Sequence, residues 1–207
     1  PATYELARVY MALMTSTGES RFGELADQAL KESTQTKAPG VLPYVARIQL
    51  AYFRGLEPEE GLVSTAKFGF ANWPYRAVNT ATLGSLVTCQ VDGRCKLPDA
   101  QVLELLDASL QNPRQLPGDR AEVYKLIAQY RINRLNDLPG GCELIRQAVV
   151  INDKAESRIM YAQCFALQEK YNEALEQLDK AVALDRFNVL ARLIERERSA
   201  IRTARSQ

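Results

Sequence analysis

Glycine and proline residues interrupt this sequence at short and fairly even intervals, and apolar residues between them recur every three or four positions. This spacing is typical of short amphipathic helices, because it places apolar side chains along one face of a helix. No run of alternating β-branched residues predicts a strand. The sequence therefore predicts an all-α fold. The predicted helices span residues 2–15, 20–34, 42–54, 58–70, 75–90, 98–111, 119–135, 140–151, 155–168, 171–184 and 187–203.

Small and aromatic residues follow a recognisable order near the end of the chain. The residues that carry this order are Tyr161, Ala162, Phe165, Tyr171, Ala174, Leu178 and Ala181. The segment resembles the tetratricopeptide repeat, a pair of antiparallel helices in which small residues let neighbouring helices approach closely. The resemblance implies a right-handed superhelical solenoid of about five antiparallel helix pairs, followed by a C-terminal capping helix.

Earlier segments fit the same pattern more loosely, so we predict one tetratricopeptide-like domain that covers the whole chain. Its last helix is rich in arginine with interspersed glutamate, which suits a cap because an end repeat must present a polar face to water. The expected parts are degenerate helix pairs over 1–71, repeats over 77–113, 121–153 and 155–188, and a capping helix over 187–207.

The chain has four cysteines and no histidine. A zinc site would ordinarily combine closely paired cysteines with histidine, and a thioredoxin-type redox centre requires C-x-x-C. Neither arrangement occurs, so we expect no bound metal. Four unrelated buried thiols are one interpretation that remains, since free cysteine is among the most buried residue types. Two disulfides are the interpretation that the positions favour.

The predicted helices arrange the cysteines in two pairs. Cys142 and Cys164 each lie eleven residues from position 153, where two antiparallel helices are expected to turn. Cys89 and Cys95 flank an Asp92-Gly93 turn, which can fold back tightly. We therefore predict the disulfides Cys89–Cys95 and Cys142–Cys164. Because disulfides persist in oxidising compartments, they predict a periplasmic or otherwise extracytoplasmic location. The alternative is a cytoplasmic location with free thiols.

The net charge and the hydropathy of the sequence indicate which kinds of partner the chain is not expected to bind. Lys and Arg number 26 against 25 Asp and Glu, a formal net charge of +1, which indicates no nucleic-acid partner. The longest uncharged stretch, 77–91, contains polar residues and is shorter than the about 20 apolar residues of a spanning helix. This segment is therefore not expected to insert into a membrane.

The sequence opens at Pro1 without a signal-peptide pattern, so we expect a fragment of a longer protein whose upstream part could carry membrane helices.

The sequence contains no motif for a catalytic nucleophile, a phosphate-binding loop or a metal-binding helix. It also lacks histidine, the commonest general base. We therefore expect neither enzyme activity nor a cofactor. The helix start at 139–141 could offer backbone N–H groups to an anion, although a turn with nothing bound is the simpler interpretation. The acids of 57–60 are interpreted as the first turn of a helix, and Trp73 as a packing residue.

The resemblance implies that the first helix of each pair lines a concave groove that binds a protein or peptide. The groove positions that it implies are Ala81, Ser85, Thr88, Glu122, Lys125, Gln129, Ile132, Asn133, Glu156, Ile159 and Gln163. The chain would then be a non-catalytic scaffold module, in the extracytoplasmic part of a larger bacterial protein.

The alternative is a regulatory or substrate-positioning domain of a membrane-bound cell-envelope glycan polymerase or glycosyltransferase. A cluster of aromatic residues would support contacts with sugars, although its helical spacing favours the core. The cluster consists of Tyr44, Tyr52, Phe53, Phe68, Phe70 and Tyr75.

Overall fold

A computed structural model describes residues 2–35 and 40–206, and within them the chain forms eleven α-helices and no strand. The all-α prediction is confirmed. Of the helices in these ranges, none is both long and apolar enough to span a bilayer. The helices are α1 (Ala2–Thr17), α2 (Ser20–Thr34), α3 (Val41–Phe53), α4 (Leu62–Asn72), α5 (Ala77–Val91), α6 (Asp99–Leu110), α7 (Pro117–Leu135), α8 (Leu138–Ile151), α9 (Ala155–Leu167), α10 (Tyr171–Leu184) and α11 (Ala191–Arg205).

The chain divides into two compact units, Pro1–Gln115 and Leu116–Gln207, here called the first and second units. The first unit contains α1 to α6, and the second contains α7 to α11. The single tetratricopeptide-like domain that we expect over the whole chain stays a prediction. All helix ends agree with the predicted ends within two residues, except the starts of α4 and α11, which lie four residues later.

In the first unit, some helices pack against helices that are not their neighbours in sequence. Helix α1 packs against α2, α2 against α3, and α3 against both α4 and α5. Helix α6 packs mainly against α4 and less against its sequence neighbour α5. The largest side chains that these contacts bury completely include Leu30, Ile48, Phe70, Leu83 and Leu105.

Trp73 follows directly after α4 and folds back onto it. An added Cβ at Gly69 would come within 2.8 Å of the Trp73 ring and within 2.9 Å of Val41 Cγ1. The indole ring also lies 5.6 Å from the ring of Tyr44. The close approach of the indole therefore requires glycine at position 69, and Trp73 is a half-buried packing residue, as predicted.

The acidic residues Glu57, Glu59 and Glu60 precede α4 and do not form its first turn, so that prediction was wrong. Gly61, just before α4, adopts φ 78° in the left-handed region, which delays the start of the helix. Glu59 forms an ion pair with Arg47. Because the guanidinium of Arg47 is buried, it needs carboxylate partners. The ion pair therefore connects the acidic segment to α3.

The carboxylate of Asp185 stabilises the turn before α11. Asp185 Oδ1 accepts a hydrogen bond from the Val189 N–H at 3.0 Å, and Oδ2 accepts one from the Leu190 N–H at 2.7 Å. Asn188 adopts φ 54°, a left-handed conformation that asparagine tolerates. These features form a defined turn, so α11 begins at Ala191 and not at the predicted position 187.

Alanine side chains lie where the helices of the second unit meet. Each helix from α7 to α11 packs against the next, and α9 also packs against α11. Ala162 on α9, together with Ala174 and Ala181 on α10, is fully buried. The three belong to a core cluster that also contains Leu178 and Ile194. The small residues of the predicted repeat therefore lie at helix contacts, where close approach leaves no room for larger side chains.

Both predicted cysteine pairs lie at disulfide-bonding distance, so the predicted pairing is confirmed. The Cα atoms of Cys89 and Cys95 are 5.2 Å apart, and the Cys95 N–H donates to the Cys89 carbonyl at 3.1 Å. The Cα atoms of Cys142 and Cys164 are 5.5 Å apart. The first pair closes the turn after α5, and the second joins the start of α8 to the end of α9.

Candidate functional site

The C-terminal halves of α7, α9 and α11, in the second unit, line most of a groove of about 500 Å³. This volume is within the range of about 300–1,000 Å³ that is typical of ligand sites, which are mostly apolar with a few polar groups. We call this surface the groove. Its apolar and small lining residues are Ile132, Ile145, Met160, Cys164, Ala166, Leu167, Tyr171, Ala200, Ile201 and Ala204.

Three amide side chains also line the groove. Gln129 and Asn133 are exposed on successive turns of α7, and Gln163 is half-buried on α9. An amide side chain both donates and accepts hydrogen bonds, so it can pair with the backbone of an extended peptide. The groove thus combines an apolar lining for side chains with amides suited to a peptide backbone.

Glu197 is the only charged residue among the described residues that line the groove. Its side chain is 17% exposed, and its Oε1 accepts a hydrogen bond from Arg196 Nη2 at 3.0 Å. The Arg196 side chain itself is 74% exposed. Ion pairs with such an exposed partner contribute little free energy, so Arg196 is a weakly held partner of this carboxylate.

The structure brings only some of the sequence-predicted groove positions into the groove. Lys125 is 8% exposed and donates to Glu122 at 2.7 Å, in the N-terminal half of α7. Ile159 is 3% exposed within the core, and Glu156 is exposed at the start of α9. Together with Glu122, these residues lie outside the lining. The predicted positions that line it are Gln129, Ile132, Asn133 and Gln163.

The remaining predicted positions belong to the first unit. Ala81, Ser85 and Thr88 are exposed on α5, and their spacing of four and three residues places them on one face of that helix. Their part in partner binding stays a prediction.

The contribution of α11 was not predicted from the sequence. Glu197, Ala200, Ile201 and Ala204 line the groove, and their spacing of three, four and seven residues from Glu197 defines one helix face. The arginine-rich composition of α11 favoured a solvated end cap. This stripe of small and apolar residues was the signal that could have identified the groove-facing side.

The start of α8 is capped by the chain itself. Asp137 Oδ1 accepts a hydrogen bond from the Gly140 N–H at 2.9 Å, and Oδ2 accepts one from Arg131 Nη1 at 2.9 Å. These bonds lower the pKa of Asp137, the backbone N–H having the largest effect. An added Cβ at Gly141 would collide with the side chain of Ile132. This segment therefore serves the capping and close packing of α8.

Ion-paired carboxylates should make the stability of the second unit depend on pH. Arg158 lowers the pKa of Asp153, and Arg146 lowers the pKa of Glu143 to about 2. Both side chains of the Arg146–Glu143 pair are about half exposed, so water screens that pair and Asp153 is expected to contribute more to the pH dependence. A carboxyl group with a lowered folded-state pKa stabilises the fold above its unfolded pKa of about 4, and this stabilisation is lost as the pH falls through the folded pKa. We expect the melting temperature, followed by circular dichroism, to fall between about pH 5 and pH 2.

The variant Asp153→Asn provides the matched test of this pH dependence. It should reduce the loss of melting temperature in acid, because an amide cannot take up a proton at this position. Glu156→Gln removes an exposed carboxylate of α9 and serves as the comparison, and Asp153→Asn should change the pH profile more than this variant does. A melting temperature that stays constant from about pH 5 to pH 2 would contradict the role assigned to these carboxylates.

The aromatic residues proposed as a sugar-binding cluster have different environments. Phe70 is fully buried, and Tyr44, Tyr52 and Tyr75 are half-buried, whereas Phe53 and Phe68 are exposed. Single exposed apolar side chains are normal on a protein surface. No observation therefore specifically supports the sugar-binding alternative, which stays a prediction.

Known proteins do not assign a role to the groove. No family model, curated protein or solved structure matches the chain. Within residues 2–35 and 40–206, no group of three or more His, Cys, Asp or Glu side chains is placed to hold a metal ion. The side chains of the groove are therefore the basis on which a function can be proposed.

Proposed function

We propose that the chain is a non-catalytic module that binds a protein or peptide partner in the groove. The observation that carries the proposal is an apolar cavity of about 500 Å³ whose polar lining is mainly amide. Apolar side chains of a partner gain free energy when they leave water for such a surface. The amides of Gln129, Asn133 and Gln163 can bind the partner's backbone.

The helix order of the second unit supports a tetratricopeptide-like arrangement of that unit. Helices α7 and α8 pack as one pair, α9 and α10 as the next, and α11 packs against both helices of the second pair. The groove is lined mainly by α7, α9 and α11. These would be the first helices of successive pairs, and the resemblance to the repeat family assigns partner binding to that face.

The two cysteine pairs support an extracytoplasmic location. All four sulfur atoms lie at bonding distance from a partner. Disulfides persist in oxidising compartments and are rare where thiols are kept reduced. We therefore propose that the chain belongs to the periplasmic or otherwise extracytoplasmic part of a larger bacterial protein.

A tryptophan in the groove tests the proposed binding site. Ala200 is exposed and lines the groove, so Ala200→Trp should fill the groove without disturbing the core. Peptides would first be selected from a random display library on the natural chain, and their affinities measured by fluorescence anisotropy. We expect Ala200→Trp to weaken their binding by at least about tenfold, because the indole occupies the space of the anchoring side chains.

Ser199→Trp is the matched control for this experiment. Ser199 is also exposed on α11 but does not line the groove, so this variant should bind the selected peptides with the affinity of the natural chain. Circular dichroism verifies that both variants remain helical. The proposal fails if the library yields no binding peptide, or if both tryptophan variants bind equally well.

A further inference from the structure

We infer that the groove selects a peptide segment in which one Lys or Arg side chain is flanked by apolar residues. This inference rests on the proposed function and adds the chemical class of the ligand. It is carried by Glu197, the only charged residue among the described residues that line the groove.

The surroundings of Glu197 favour a cationic ligand. Its side chain is 17% exposed, and the adjoining groove residues of α11, Ala200 and Ile201, carry no charge. Water screens a charge less in a partly enclosed apolar site than on an open surface, so a cation is attracted more strongly there. A Lys or Arg side chain in the groove would form a charge-assisted hydrogen bond with this carboxylate.

Arg196 leaves hydrogen-bonding capacity on Glu197. It donates to Oε1 at 3.0 Å from a side chain that is 74% exposed. A carboxylate has sites for about four hydrogen bonds, and an ion pair with so exposed a partner contributes little free energy. A ligand cation can therefore share the carboxylate with Arg196 or replace Arg196 at small cost.

The apolar lining accounts for the flanking residues of the ligand. Ile132 on α7, Met160 and Leu167 on α9, and Ile201 on α11 all line the groove. The flexible thioether of methionine adapts to side chains of different shape, which suits a peptide more than one rigid small molecule. An acidic residue in the same peptide position would face Glu197 and be disfavoured by charge repulsion.

Parallel selections test this inference. A random peptide library displayed on phage is selected on the natural chain, on Glu197→Gln and on Glu195→Gln. Glu195 is a matched control, since it lies on the same helix, is exposed, and does not line the groove. We expect a basic residue between apolar residues to be enriched on the natural chain and on Glu195→Gln, and this enrichment to be lost on Glu197→Gln.

Synthetic peptides then provide a quantitative test. Replacing the basic residue of the best peptide with glutamine should weaken its binding to the natural chain by about tenfold or more, because a charge-assisted hydrogen bond is lost. Replacing it with glutamate should weaken binding further, and Glu197→Lys should reverse this preference and bind the glutamate peptide better than the basic one.

Three outcomes would count against these conclusions. Selected peptides without a basic residue that are still blocked by Ala200→Trp would overturn the inference and leave the proposed function intact. Loss of the basic preference in Glu195→Gln as well would overturn the assignment to Glu197. Peptides that bind equally well after Ala200→Trp would contradict the groove as the binding site, and the inference would fail with it.

Discussion

Replacing Cys142 and Cys164 together with alanine is expected to lower the free energy of unfolding of the second unit by about 3 kcal/mol. Their bond joins residues separated by 22 positions, so it restricts the unfolded chain over a loop of substantial length. Both side chains are buried in a cluster with Ala128 and Ile145, so the substitutions also remove packing contacts. Urea unfolding measures the change, and hydrogen exchange locates it in α8 and α9.

The double substitution of Cys89 and Cys95 with alanine is the matched control. These residues are separated by only 6 positions. The same loop-closure argument therefore predicts a smaller decrease in the free energy of unfolding, about 2 kcal/mol. This decrease should affect the first unit. Hydrogen exchange in α8 and α9 should then match that of the natural chain. If replacing Cys142 and Cys164 left hydrogen exchange in α8 and α9 as slow as in the natural chain, this would contradict the stabilising role of the Cys142–Cys164 bond.

The variant Ala162→Leu should destabilise the second unit by about 2–3 kcal/mol. Ala162 is fully buried on α9, in one cluster with Ala174 and Ala181 of α10. The additional carbon atoms of leucine have no space unless α9 and α10 move apart, because the interior is already closely packed. The same urea titration measures this loss. Peptide binding should weaken as well, since α9 also lines the groove.

Ala183→Leu separates overpacking from any general effect of a larger side chain. Ala183 lies on α10 but is exposed, so the same substitution there should change the free energy of unfolding by no more than about 0.5 kcal/mol. Equal losses for Ala162→Leu and Ala183→Leu would show that α9 and α10 do not meet as closely as described.

The helices were predictable because local spacing of apolar residues determines which segments can bury a face. The start of α4 was not predictable in this way, because the helix begins after the left-handed Gly61, and Glu59 of the preceding segment pairs with Arg47. That pair joins residues 12 positions apart, and no local pattern specifies it. The start of α11 was missed for a related reason, since Asp185 captures two backbone N–H groups of the following turn.

The groove was predictable only in part. The repeat resemblance placed Gln129, Ile132 and Gln163 on helices that line the groove. It also assigned Ile159 to the groove, whereas the tertiary packing buries that side chain in the core. Glu197 was missed because whether an acid on an arginine-rich helix faces solvent or a neighbouring helix depends on packing between elements that are distant in sequence.

Each cysteine has its partner within its own unit. Air oxidation during purification should therefore not create covalent dimers, since no thiol is left over to link two chains. The same arrangement makes the chain convenient for site-specific labelling. A cysteine introduced by Ala204→Cys, at an exposed position in the groove, would be the only reactive thiol of the oxidised protein. A fluorophore attached there would report directly when a ligand arrives.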